Sequence, residues 1–164
     1  VTWGINFFDK KNYINRHIIN SRLETVHKKI IFKESFFKKR CVIPFNGYYE
    51  WKIVDGNKIP FFIHLPSLQT IFFAGIWKFF DKKKSLIKNF SILTKNANNL
   101  ISDIHYRMPV IFDLNEAINY IEEEESILKI DFISKIEENL EFFPVSKFVN
   151  SPNNNSIDCI KPVS

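Results

Sequence analysis

Gly47-Tyr48-Tyr49-Glu50-Trp51-Lys52-Ile53-Val54-Asp55-Gly56-Asn57-Lys58-Ile59-Pro60-Phe61-Phe62-Ile63-His64 reads as two strands joined by a tight turn. Aromatic and β-branched residues fill Gly47–Lys52 and Pro60–His64, and Asp55-Gly56 between them is a hairpin turn pair whose backbone tolerates positive φ. In Tyr48-Tyr49-Glu50-Trp51 the side chains alternate, so Tyr48 and Glu50 share one side. A carboxylate is thereby set into a strand of aromatic residues, where it must be paired, solvated on one face or carry a perturbed pKa.

Short apolar runs bounded by turn residues recur on both sides of this hairpin. Cys41–Pro44, Ile71–Gly75, Phe90–Thr94 and Pro109–Phe112 are further candidate strands. Helices are fewer. Asp113-Leu114-Asn115-Glu116 has the form of a capping box, with Asp113 as N-cap of a helix over Leu114–Glu125. Asp131–Leu140 and Tyr13–Ile19 are shorter helical candidates. Strands and helices mix without βαβ alternation, which predicts an α+β fold: a compact single domain over residues 1–164, with a mainly antiparallel, barrel-like core and a few flanking helices. The stretch Asn150–Ser156 is a polar loop.

Composition narrows the function classes. The 164 residues are 45% hydrophobic and 25% charged, which excludes disordered and collagen-like chains. A chain of this length buries about 68–70% of its unfolded surface on folding. No apolar run has the length of a membrane span. Asp9, Lys10 and Lys11 interrupt the first apolar stretch, so no secretory signal is expected there. Cys41 and Cys159 form no C-x-x-C pair, and neither a metal site nor a cofactor is expected. Such sparse cysteine use fits a reducing compartment. The net charge of +5 fits an anionic partner such as nucleic acid, and equally a solvated lysine-rich surface. With 16% aromatic residues, some rings beyond the core are available to stack on bases. There is no Gly-rich phosphate loop, G-x-S-x-G or H-E-x-x-H motif.

Three segments place polar groups inside apolar frames: Asn20-Ser21-Arg22-Leu23-Glu24-Thr25, Lys39-Arg40-Cys41-Val42-Ile43-Pro44 leading into Gly47-Tyr48-Tyr49-Glu50-Trp51, and His105-Tyr106-Arg107-Met108-Pro109. Singly, each has an ordinary explanation. Glu50 could face solvent or pair with Arg22 or Arg107, His105 could be a plain loop histidine, Asn20 could cap a turn, and Cys41 could be a buried, inert thiol. With Trp3-Gly4-Ile5, Ala74-Gly75-Ile76-Trp77, Thr94-Lys95-Asn96-Ala97-Asn98, Pro144-Val145-Ser146 and Val149-Asn150, these blocks follow one another from Trp3 to Asn150.

In that order they resemble the SOS-response-associated peptidase (SRAP) family, which shields abasic sites in single-stranded DNA. The resemblance implies a compact α+β fold and covalent chemistry. In the family, the α-amine of a terminal cysteine attacks the aldehyde of a ring-opened abasic site, and its thiol closes a thiazolidine ring, with associated self-processing, peptidase-like activity. Glu50 and His105 match the family's carboxylate and histidine for proton transfer. Asn20 matches the asparagine that holds the reacting terminus or sugar. Arg22, Arg40 and Arg107 match DNA-binding arginines, and Trp3 and Met108 match apolar residues near the bases. The implied partner is single-stranded DNA containing abasic sites, bound by a monomer with no membrane attachment. The implied location is cytoplasmic and nucleoid-associated in a bacterium, or nuclear in a eukaryote.

Tyr106 stands where the family often has aspartate, and Ser21 where it often has alanine. The chain opens at Val1 and its one methionine is Met108, so a start of translation and the reacting cysteine are expected upstream. A degenerate relative that only binds single-stranded DNA, and an unrelated basic β-rich interaction module, are the competing readings.

Overall fold

The computed structural model describes residues 1–9, 14–82, 85–123 and 127–163. In chain order the strands are β1 (Thr2–Trp3), β2 (Ile5–Asp9), β3 (Ile14–Ile18), β4 (Asn20–Arg22), β5 (Arg40–Phe45), β6 (Gly47–Val54), β7 (Asn57–His64), β8 (Ile71–Lys82), β9 (Ser85–Asn96), β10 (Arg107–Pro109), β11 (Ile111–Phe112) and β12 (Glu141–Pro144). The helices are α1 (Leu23–Val26), α2 (Ile30–Lys38) and α3 (Leu114–Glu122). This is the α+β fold expected; among the described residues the sheets are not closed into a barrel, which corrects the barrel-like core. The chain forms two compact units that interleave in sequence.

The first unit comprises Val1–Pro44, Ile71–Lys95 and Pro109–Ser134. Its sheet is built on the antiparallel hairpin of β8 and β9, with β1 and β4 added in parallel to β9, and with β5 and β11 beside β8. Alternation decides the two faces. Ala74, Ile76 and Leu93 point into a core with Ile5, Val26, Phe32 and Phe36. α2 enters that core through Phe32 and Phe36, one helical turn apart. α3 starts at the capping box: the Glu116 amide donates to Asp113 Oδ1 at 2.8 Å and the Asp113 amide to Glu116 Oε2 at 2.9 Å. It buries Ala117 and Tyr120, and the Tyr120 hydroxyl donates to the Gly75 carbonyl at 2.9 Å. The helix expected to run to Glu125 ends at Glu122, because Glu123 turns to extended backbone; residues 124 and 125 lie outside the described residues.

The second unit comprises Phe45–Thr70, Asn96–Met108 and Lys135–Ser164. β6 and β7 form the hairpin read from the sequence, paired from Gly47↔His64 to Val54↔Asn57, and β12 adds antiparallel to β7. At the turn, Asp55 has φ 50° and Gly56 φ 77°, the two positive values that a tight two-residue hairpin loop requires. Tyr49, Phe62, His64 and Phe143 pack together on one face with ring centroids 5.2–5.8 Å apart, Phe62 and His64 stacked and the other pairs tilted or edge to face.

Two helical expectations are corrected. Ile14–Ile18 is a strand, because it pairs with β2 in a hairpin; Tyr13 lies outside the described residues. Asp131–Leu140 holds only a short 3₁₀ turn over Lys135–Asn139. At its start, Asp131 Oδ1 accepts from the Ile133 amide, a local side-chain bond that competes with helix formation. Among the described residues no helix is long and apolar enough to cross a membrane.

Candidate active site

Within the second unit, β6 delivers Glu50 and the loop after Asn96 delivers His105. The loop is a closed structure. The Ala97 amide donates to the Tyr106 carbonyl at 3.1 Å, Asn98 Oδ1 accepts from the Ile101 amide at 3.0 Å, and the His105 amide donates to the Ile101 carbonyl at 3.1 Å. Ile101, Ile104 and Met108 bury its apolar side. His105 is thereby held on a braced segment, although nothing about it is helical or extended.

His105 Nδ1 stands 3.8 Å from Glu50 Oε2, with both side chains partly exposed. The same nitrogen lies 2.9 Å from the Arg107 carbonyl and 3.2 Å from the Arg107 amide, so either tautomer finds a main-chain partner. Burial raises the Glu50 carboxyl above its ordinary pKa; the attraction of His105 and a main-chain bond from Trp51 oppose that rise without cancelling it. A carboxyl that is reluctant to lose its proton, beside an imidazole, is an arrangement for passing protons.

The pair lines an open pocket of about 460 Å³ together with Trp51, Ile53, Lys58 and Asn150. Trp51 Nε1 donates to Asn150 Oδ1 at 2.8 Å, which fixes the indole at the rim. The site-residue assignment from sequence omits Trp51, Lys58 and Asn150. For Trp51 and Asn150 the pattern was available, because both lie in quoted blocks; Lys58 sits one strand across and had no such mark. Tyr48, on the Glu50 side of β6, is half-buried with its hydroxyl out of solvent, and that hydroxyl is pushed to a higher pKa by its burial and by the nearby carboxylates of Glu50 and Glu137.

The remaining candidates fall into distinct settings. Arg107 Nη1 donates to Asn96 Oδ1 at 2.7 Å in the second unit. In the first unit Asn20 and Arg22 are exposed at the two ends of β4, flanking buried Ser21. Trp3 Nε1 donates to the Ile19 carbonyl at 3.0 Å, tying the indole to the chain beside Asn20. Two expectations meet a structural obstacle. Arg40 sends its guanidinium N–H groups to the carbonyls of Phe36, Phe37, Tyr120, Ile121 and Glu123, so it clamps the ends of α2 and α3 instead of presenting a fork to phosphate. Met108 is fully buried, and its sulfur accepts from the Asn98 amide at 3.4 Å, so it braces the His105 loop from inside. Cys41 is half-buried, and burial alone pushes its thiol up to about 12, which keeps it protonated.

Residues 1–152 match the family model described as SOS response associated peptidase (SRAP). The abasic site processing protein YoqW of Bacillus subtilis is 36% identical over 165 residues, covering 97% of this chain and 74% of its own length. The abasic site processing protein HMCES of Gallus gallus is 31% identical over 167 residues, covering 88% of this chain and 50% of its own length. A crystal structure of a protein from Bacteroides thetaiotaomicron superposes with a TM-score of 0.77 at 25% identity, over 98% of this chain and 75% of that one.

Proposed function

The chain belongs to the SOS response associated peptidase family, and from that premise we propose that it acts on abasic sites in single-stranded DNA, with Glu50 and His105 as its proton-transfer pair. The observation that carries this is the half-buried Glu50 carboxyl, its pKa raised, 3.8 Å from His105 in an open pocket.

An abasic sugar is a closed hemiacetal in equilibrium with an aldehyde. Opening it needs a base for the C1′ hydroxyl proton and an acid for the ring oxygen. An amine then adds to the aldehyde, and the resulting carbinolamine loses water to give an imine once its hydroxyl is protonated. The Glu50–His105 pair supplies and recovers protons at these steps. Asn20 orients the sugar or the attacking amine. Arg22 and Arg107 hold phosphates, and Trp3 offers an indole face to a base. Arg40 and Met108 have no place at the DNA in this reading, for the reasons of hydrogen bonding and burial given above.

The amine and thiol are those of a terminal cysteine, as the family resemblance implies. Cys41 lies within β5 and Cys159 within the 3₁₀ turn Ile157–Ile160, so neither carries a free α-amine. The test uses a form of the chain with a cysteine-headed amino-terminal segment, mixed with single strands carrying or lacking one abasic site and with the matching duplexes, and run on a denaturing gel. The expected result is a heat-stable adduct with the abasic single strand alone. No adduct, or equal adduct with duplex and single strand, contradicts the proposal.

A further inference from the structure

In a sheet, residues in register on neighbouring strands share a face. On β9, Thr94 is level with Arg22 and Ile92 with Asn20, both on β4. Further along the same side, Phe90 is level with Trp3 of β1 and Trp77 of β8, and Lys88 is level with Phe79. The face that carries Asn20 and Arg22 therefore runs on, for about 20 Å at 3.3 Å per residue, into a strip of aromatic rings.

The strip is ordered and open. Trp3 and Phe90 stack with centroids 6.4 Å apart and planes 10° from parallel. Trp77 and Phe79 meet edge to face at 5.3 Å. The Lys88 ammonium sits 5.0 Å from the Trp77 centroid and 5.8 Å from that of Phe79. Trp3 is 48% and Phe79 44% exposed, far more than rings kept for a core. Beside them lies a groove of about 360 Å³ walled by Cys41, Ile43, Trp77, Lys88 and Phe90. Gly75 makes room for that wall: a Cβ there would stand 2.8 Å from Ile43 Cδ1 and 3.1 Å from Cys41 Sγ.

We propose that this aromatic and lysine face of the β8–β9 hairpin is a stacking track for the single-stranded DNA that flanks the lesion. The inference rests on the abasic-site reading and extends it by a second region of contact. Planar bases suit the exposed rings of Trp3 and Phe79 without sequence preference, and the Lys88 ammonium, held over Trp77, supplies a cation for a neighbouring phosphate. A purely apolar partner would gain nothing from an ammonium poised over the rings.

The test is equilibrium binding of oligo-dT of four and twelve nucleotides to the 164-residue chain, followed by fluorescence anisotropy over a range of salt. Phe79→Ala and Lys88→Gln alter exposed side chains. Phe79→Ala is expected to weaken the twelve-nucleotide strand by about fivefold or more, the effect of losing one stacked base, with the four-nucleotide strand much less affected. Phe79→Trp is expected to restore the affinity, and Lys88→Gln to make the salt slope shallower by about 0.7. If both variants bind the longer strand like wild type while Arg22→Ala weakens it, the track is refuted and the abasic-site reading stands. If an apolar peptide competes for the face and DNA does not, the track is refuted in favour of a peptide groove. If the unaltered chain binds neither strand, the track and the reading beneath it fall together.

Discussion

Glu50 shows how far a single residue can be read before its surroundings are known. Its place in an aromatic strand already required a partner or a shifted pKa; that the partner is His105, 55 positions later, depends on how the loop closes, and only the family blocks suggested it. Arg40 shows the opposite case: the same matching pattern suggested DNA, whereas its donors are consumed by main-chain carbonyls at the ends of α2 and α3, a role invisible without the helix ends in place. The raised Glu50 pKa also has a stability consequence. A carboxyl that holds its proton more tightly when folded favours the folded state below its unfolded pKa, and that contribution is lost as pH rises through the folded value. Glu50→Gln, which carries no charge to bury, is therefore expected to raise the urea midpoint at pH 7, and the gap to wild type should close below the ordinary glutamate value of about 4.3. A variant that is less stable at pH 7 would show that the His105 attraction outweighs desolvation.

Elements with strong local chemistry were legible and those set by pairing were not. Asp55-Gly56 and the capping box at Asp113 specify their turns by their own side chains and dihedrals, and both stand where the sequence put them. β3 has polar residues between Ile14 and Ile18, which short-range pattern alone cannot assign; its pairing with β2 made it a strand. α2 escaped because Ile30 and Ile31 begin it with a β-branched pair, although Phe32 and Phe36 already stood at helical spacing. β8 and β9 extend well past the apolar runs that signalled them, since each strand supplies the other's hydrogen bonds. The capping box carries a direct prediction. Asp113→Ala removes the acceptor of the Glu116 amide and should lower unfolding free energy by about 1 kcal/mol in urea titration. An unchanged midpoint would mean that tertiary contacts of Ala117 and Tyr120 hold the first turn without the cap.

At the scale of the whole chain, ordered blocks and a positive charge pointed to nucleic acid, while the division into two interleaved units left no mark in composition, because no linker separates them. If Arg22 holds a phosphate, the logarithm of the single-strand binding constant falls with the logarithm of salt, and Arg22→Ala should make that slope shallower by about 0.7, one contact's share; an unaltered slope would remove Arg22 from the DNA. The proposed function stands or falls on Glu50 and His105 acting as one proton-transfer unit on an abasic site. It is tested most directly by the cross-linking rate of the cysteine-headed form with an abasic single strand, for Glu50→Gln, His105→Ala and the double variant. Glu50→Gln is expected to slow the reaction by about 10²–10⁴-fold and His105→Ala to slow the same step, with the double variant far less impaired than the product of the two. Single variants that react at the wild-type rate would contradict it.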